Sequence, residues 1–145
     1  MVSVVEALTP AKTRRGKSPT FRHASKTASE GPFPDSRGFW FEPRSVEFVG
    51  APNSSGIPPR MRAEVDLLVF YIEDKEPAAN FEDIAADHYT IGAALLAPSA
   101  RGTFSTSSII GIGLANNAIM RAQIEKVQGG YRTRTPITIE YRETP

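Results

Sequence analysis

One stretch of this chain constrains its fold more than any other. Residues 60 to 72, RMRAEVDLLVFYI, place Ala63, Val65, Leu67, Val69 and Tyr71 on one face of an extended segment. The other face opens with Arg62, Glu64 and Asp66, then turns apolar at Leu68, Phe70 and Ile72. Such a strand is covered on both sides at its end and solvated on one side at its start. The layer that covers it follows at once. Residues 80 to 97 have Asn80 as a cap, with Glu82 and Asp83 in the first turn near the positive helix end. Phe81, Ile84, His88, Ile91 and Leu95 follow helical core spacing, and Pro98 stops the pattern. Glu73 to Ala79 reads as a charged loop between strand and helix.

The remaining segments are shorter. Val2 to Leu8 has near-helical apolar spacing, with Ser3 and Glu6 placed as a capping box, and Pro10 ends it. Residues 38 to 49, GFWFEPRSVEFV, alternate as a strand, and Pro43 predicts a break or an edge position. Residues 50 to 59 form a loop by their Gly, Pro, Asn and Ser content. Residues 109 to 114, IIGIGL, read as a buried strand. Asn116-Asn117 is a turn candidate, 118 to 127 a further strand, and Gly129-Gly130 a second turn. In residues 135 to 143, Ile137, Ile139 and Tyr141 face inward and Thr138, Glu140 and Arg142 outward. Strands in such close succession predict an antiparallel meander. The expected class is α+β: a mostly antiparallel sheet with one main helix packed on it, a short N-terminal helix and an extended basic arm. Residues 1–37 would be the helix and arm, and 38–145 the core domain.

The arm is set apart by charge. Lys12, Arg14, Arg15, Lys17, Arg22 and Lys26 follow one another with no acid among them, although the whole chain of 145 residues has a formal charge of only +1. Residues 11 to 37 hold too few aliphatics to offset their own ordering entropy. The arm has two functional readings, contact with nucleic acid phosphates or reach onto a neighbouring subunit, beside the plain reading of a solvated terminus. Only Phe21 interrupts it, so base stacking is not supported. There is no cysteine, hence no disulfide framework and no thiolate metal site. The start of the chain lacks the basic cluster of a secretory signal, and no apolar run approaches the ~20 residues of a membrane span. The expectation is a soluble product of the cytoplasm.

Signals for chemistry are weak. IGIGLANN has a Gly-x-Gly pair without the third glycine or following helix of a dinucleotide site. His23 lies in the arm, and His88 lies on the helix stripe with Ile84, Ala85, Ile91 and Gly92 where a second ligand would stand. His88 is therefore read as a satisfied core residue rather than an acid–base group. Glu73, Asp74, Glu76, Glu82, Asp83 and Asp87 cluster around one loop and helix start. They are read as a solvated loop favouring the helix dipole, or as an acidic patch for a neighbour's basic arm. No catalytic, cofactor or metal residues are expected.

The stretch RMRAEVDLLVFYIEDKEPAANFEDIAADHYTIGAALL resembles the middle of tail-terminator proteins of long-tailed bacteriophages. The shared pieces are a strand ending Val69–Tyr71, an acidic loop Glu73–Glu76, and a helix stripe from Asp87 through Leu95. GFWFEP before the long strand and PITIEYRE at the end are similar to further pieces of that family, so the likeness spans about residues 38 to 143. The resemblance implies a virion protein of the tail neck, assembled in the host cytoplasm, whose hexameric ring caps the tail tube and joins it to the head connector. DNA would pass through the lumen without specific binding. It implies neither activity nor cofactor.

A closed ring needs two different, complementary surfaces on each subunit. The expected interface pairs Lys12, Arg14, Arg15, Lys17 and Arg22 of one copy with Glu73, Asp74 and Glu76 of another, and an open strand edge would let sheets continue between copies. Arg62, Glu64 and Asp66 are expected to face the lumen. The alternatives are another neck or head–tail connector protein, a tail-tube subunit, a nucleic-acid-binding module using the arm, or a small enzyme using His88 and nearby acids.

Overall fold

The computed structural model describes residues 2–10, 20–23, 36–49, 60–97, 109–114 and 120–143. In chain order the elements are α1 (Val2–Glu6), β1 (Arg22–His23), β2 (Gly38–Val49), β3 (Arg60–Ile72), α2 (Pro77–Leu96), β4 (Ile109–Leu114), β5 (Gln123–Val127) and β6 (Gly130–Glu143). They form one mixed, mostly antiparallel sheet in the order β1-β2-β3-β6-β4, with β5 also paired to β6. Among the described residues the one parallel pair is β1 with β2, over two residues of each. The class read from the sequence, one main helix and a short one on a mostly antiparallel sheet, is the class observed. Most of the expected basic arm, including Lys12, Arg14, Arg15, Lys17 and Lys26, lies outside the described residues, as does Asn116-Asn117.

The long strand behaves as its pattern requires. Leu67, Val69 and Tyr71 on one face of β3 join Phe39 of β2 and Ile137 and Ile139 of β6 beneath Ile84, Ile91 and Leu95 of α2. On the opposite face Leu68 packs with Trp40 and Phe70, flanked by Ile72 and Val127. From Asp66 onward β3 is buried on both faces apart from its last residue, and before that it is part-exposed. Val5 of α1 and Phe21 beside β1 are buried in the main core, so residues from the expected helix-and-arm segment help to build it.

Three expectations change. The helix begins at Pro77 rather than at Asn80, because proline tolerates the first helical turn, where its missing N–H has no intrahelical partner. Asn80 lies inside the helix and is buried. Its Nδ2 donates to the Ile72 carbonyl (2.9 Å) and its Oδ1 accepts from the Asp74 N–H (2.7 Å), which pins the loop to the end of β3. The late strands are not a simple meander. β4 and β5 both lie against β6, β4 beside residues 139–143 and β5 beside 130–134. Finally, of the strand expected over 118–127, Gln123–Val127 is strand and residues 120–122 are not, while 118 and 119 lie outside the described residues.

The break expected at Pro43 is a register shift between Pro43 and Ser45. Before it, Phe39 and Phe41 oppose Val69 and Leu67, and after it Val46 and Phe48 oppose Ala63 and Met61. One extra residue thus moves β2 from odd to even positions on the helix-side face. At the other end of the sheet Gly130 opens β6 where a Cβ would meet the Tyr71 carbonyl oxygen at 1.9 Å, so only glycine fits that approach.

Candidate functional site

The sheet face turned away from α2 carries a ladder of charges. Arg62 stands between Glu47 of β2 (3.4 Å) and Glu140 of β6 (3.1 Å), and Arg60 also reaches Glu140 (3.7 Å). Farther along, the Asp66 carboxylate accepts from Arg44 Nε (2.6 Å) and Arg134 Nη1 (2.7 Å). Arg134 also lies near Glu42 and Glu125, and Glu125 accepts from Arg132 at 2.6 Å. The cause is local: the bulge places Ser45 and Glu47 opposite Glu64 and Arg62 of β3, and Arg44, the extra residue, reaches Asp66 with its side chain. Hydrogen bonding to Glu140 raises Arg62 above its ordinary value, hydrogen bonding to Asp66 raises Arg134, and hydrogen bonding to Arg132 lowers Glu125.

Arg62, Glu64 and Asp66, expected on one face, do share it, but they differ in access. Asp66 is buried beneath its two arginines, Arg62 is half-buried between its acids, and Glu64 is exposed. Glu64 accepts a long hydrogen bond from the Ser45 hydroxyl (3.5 Å).

The acidic loop is already engaged within its own chain. Glu73 forms an ion pair with Lys126, whose ammonium also sits 4.6 Å from the centre of the Tyr131 ring. The Asp74 carboxylate accepts from the Glu76 N–H (3.2 Å), and Glu76 is exposed at the helix start. Arg22 is exposed in β1.

A buried polar cluster went unseen in the sequence. Asp83 and Asp87, expected in a solvated acidic group, are fully buried. The Arg37 guanidinium, equally buried, donates to Asp87 Oδ2 at 2.7 Å from 50 residues away. Tyr71 hydrogen-bonds the same carboxylate. Burial holds Asp87 above the ordinary carboxylate range, only partly countered by Arg37 and Tyr71. Burial, with the Asp87 charge beside it, drives the Tyr71 phenol well above its usual value. The available signal was spacing. Asn80, Asp83, Ile84, Asp87, Ile91 and Leu95 make the buried stripe, and Phe81, placed on it by hydropathy, is exposed.

His88 lies at the edge of that stripe, half-buried, with Nε2 3.2 Å from the Met120 carbonyl oxygen. Beside it an open, mainly apolar groove of about 300 Å3 runs between α2 and the start of β5. Among the described residues, no group of three or more His, Asp or Glu side chains is arranged to hold a metal ion, and no helix is long and apolar enough to cross a membrane. No protein-family model matches the chain, and no curated protein matches it.

Proposed function

We propose that the chain is a structural subunit of a bacteriophage tail neck, a tail terminator whose copies close into a ring. Such a ring caps the tail tube, contacts the tube protein on one side and the head connector or stopper on the other, and takes its place in the virion after assembly in the host cytoplasm.

The observation that carries the reading is a sheet open on both sides. Among the described residues, the outer edge of β2 is bonded only by the two residues of β1, and β5 is bonded only to β6. Two unlike edges that carry no long partner strand among the described residues suit head-to-tail association, in which each copy offers one edge and receives the other. With α2 covering one face, the charged face would line the lumen. Arg44, Arg62 and Arg134 are engaged by acids of the same face, which reduces the positive charge left to grip phosphates, while exposed Glu64 repels them. That fits a wall past which DNA slides.

Sedimentation of the purified chain and electron microscopy of the chain mixed with tail tubes test the reading. Single-layer closed rings at tube ends are expected. Long stacks would instead make it a tube subunit. Retention of DNA with a steep salt slope, lost on deleting residues 11 to 26, would make it a nucleic-acid module.

A further inference from the structure

The two ends of the helix-side sheet face carry apolar features that match each other and cannot meet within one chain. At the far end of the β2–β3 pair, Val46 and Phe48 stand 60% and 68% exposed. At the other end lies the groove lined by Phe81, Ala85, His88, Met120 and Ile124, with Phe81 64% and Ile124 43% exposed on its walls. Phe48 opposes Met61, whereas Ile124 opposes Thr133, which opposes Val69. The two features are therefore separated by eight residues of β3, about 27 Å at strand rise.

We propose that Phe48, with Val46 beside it, seats in the groove of the next copy of this chain, and that this contact sets the order and stagger of the ring. The inference rests on the ring reading above and adds the residues that would make the interface.

Three observations name a second copy as the occupant. The first is shape. An apolar cavity of about 150 Å3 takes one benzene ring, so a groove of about 300 Å3 holds a phenylalanine ring with a valine beside it. The second is facing. Val46 and Phe48 lie on the α2 side of the sheet because of the bulge, and the groove lies on that same side. When the outer edge of β2 at Val46 and Phe48 is laid beside the outer edge of β5 in the next copy, the α2 sides stay together and Phe48 points at the groove. The third is offset. Joining opposite ends of the face staggers successive copies along the strands, and a sheet that closes on itself requires such a stagger.

The test uses two full-length variants with changes at exposed positions. Phe48→Ser removes the knob and Ala85→Trp fills the groove. Circular dichroism and thermal melting are expected to match the wild type. Each variant alone is expected to lose self-association by about thirty-fold or more, as for truncation of a central aromatic anchor. Mixed together, they are expected to form dimers and nothing larger, because one variant keeps an intact groove and the other an intact knob. As a second measurement, the cysteine-free chain carrying Phe48→Cys and Ala85→Cys is expected to give an intermolecular disulfide ladder on oxidation. Rings formed equally well by both variants would overturn the contact and leave the ring reading standing. A wild-type chain that stays monomeric at high concentration and on tail tubes would overturn both. Two variants that fail to associate alone and fail to pair on mixing would also overturn the contact.

Discussion

Arg37 combines two costs that the surrounding structure compensates. Its φ of 62° lies in the left-handed region, which disfavours a residue with a Cβ by roughly 1–2 kcal/mol. Its charge is fully buried. Backbone and side chain both hold it: its N–H donates to the Phe70 carbonyl (2.7 Å), its carbonyl accepts from the Arg22 N–H (3.2 Å), and its guanidinium donates to both oxygens of Asp87. Arg37→Ala keeps the strain and strands the buried Asp87 carboxylate, so a loss of about 3–5 kcal/mol near neutral pH is expected by urea titration. Arg37→Gly relieves the strain and should retain about 1 kcal/mol more than the alanine variant. The pH dependence has a definite sign. Burial already raises Asp87, and removal of its cation raises it further. A carboxyl raised in the folded state contributes stability at low pH and loses it as pH rises through the folded value. The deficit of Arg37→Ala should therefore shrink as pH falls from about 7 toward about 4.5, and a deficit constant with pH would argue against a stranded carboxylate. This cluster was illegible in the sequence because hydropathy sorts Asp83 and Asp87 outward. The burial of Asp87 depends on an arginine that only the fold brings to it.

At the scale of elements, most of the sheet was legible because alternation reports directly on which face is buried. The parity change in β2 was also written there: Phe39 and Phe41 are odd, Val46 and Phe48 even, with Pro43 between them. Only a bulge reconciles those positions with one apolar face. Deleting Arg44, the extra residue, leaves Ser45 opposite Glu64 and Val46 and Phe48 opposite Ala63 and Met61, so every side chain keeps its face and the strand pairs without a bulge. Arg44→Ala removes only one of the two arginines on Asp66. Both changes remove the same arginine from Asp66 and leave Arg134, so the thermal midpoints of the deletion and the substitution are expected to lie close together, at a cost of about 1 kcal/mol each. A far larger loss on deletion would show that the bulge itself stabilises the sheet and is not merely a means of keeping Val46 and Phe48 on the helix side. The pairing of the late strands was less legible. IIGIGL and QIEKV are neighbours in sequence, yet each bonds β6, because long-range pairing depends on which edge is free rather than on local pattern.

For the whole molecule, the proposed association of copies can draw on either of two surfaces. The sequence pointed to charge, with Lys12, Arg14, Arg15, Lys17 and Arg22 reaching Glu73, Asp74 and Glu76. The fold adds two facts that hydropathy counts could not supply: Glu73 is already paired with Lys126, and Phe48 and the α2–β5 groove lie at opposite ends of one face. The two interfaces respond oppositely to salt. At about 1 M the screening length falls to roughly 3 Å, so a contact between solvated arm and loop charges is largely lost. An apolar knob in a groove gains slightly or is unchanged, since burial of apolar surface does not depend on screening. Self-association measured by sedimentation between about 0.1 and 1 M sodium chloride is therefore expected to change by less than about threefold. A weakening beyond about tenfold over that range would place the interface on the arm and the acidic loop. The Phe48→Ser variant sharpens the comparison. Whatever association survives in it near 0.1 M should vanish near 1 M, because only the screened contacts are left to hold it.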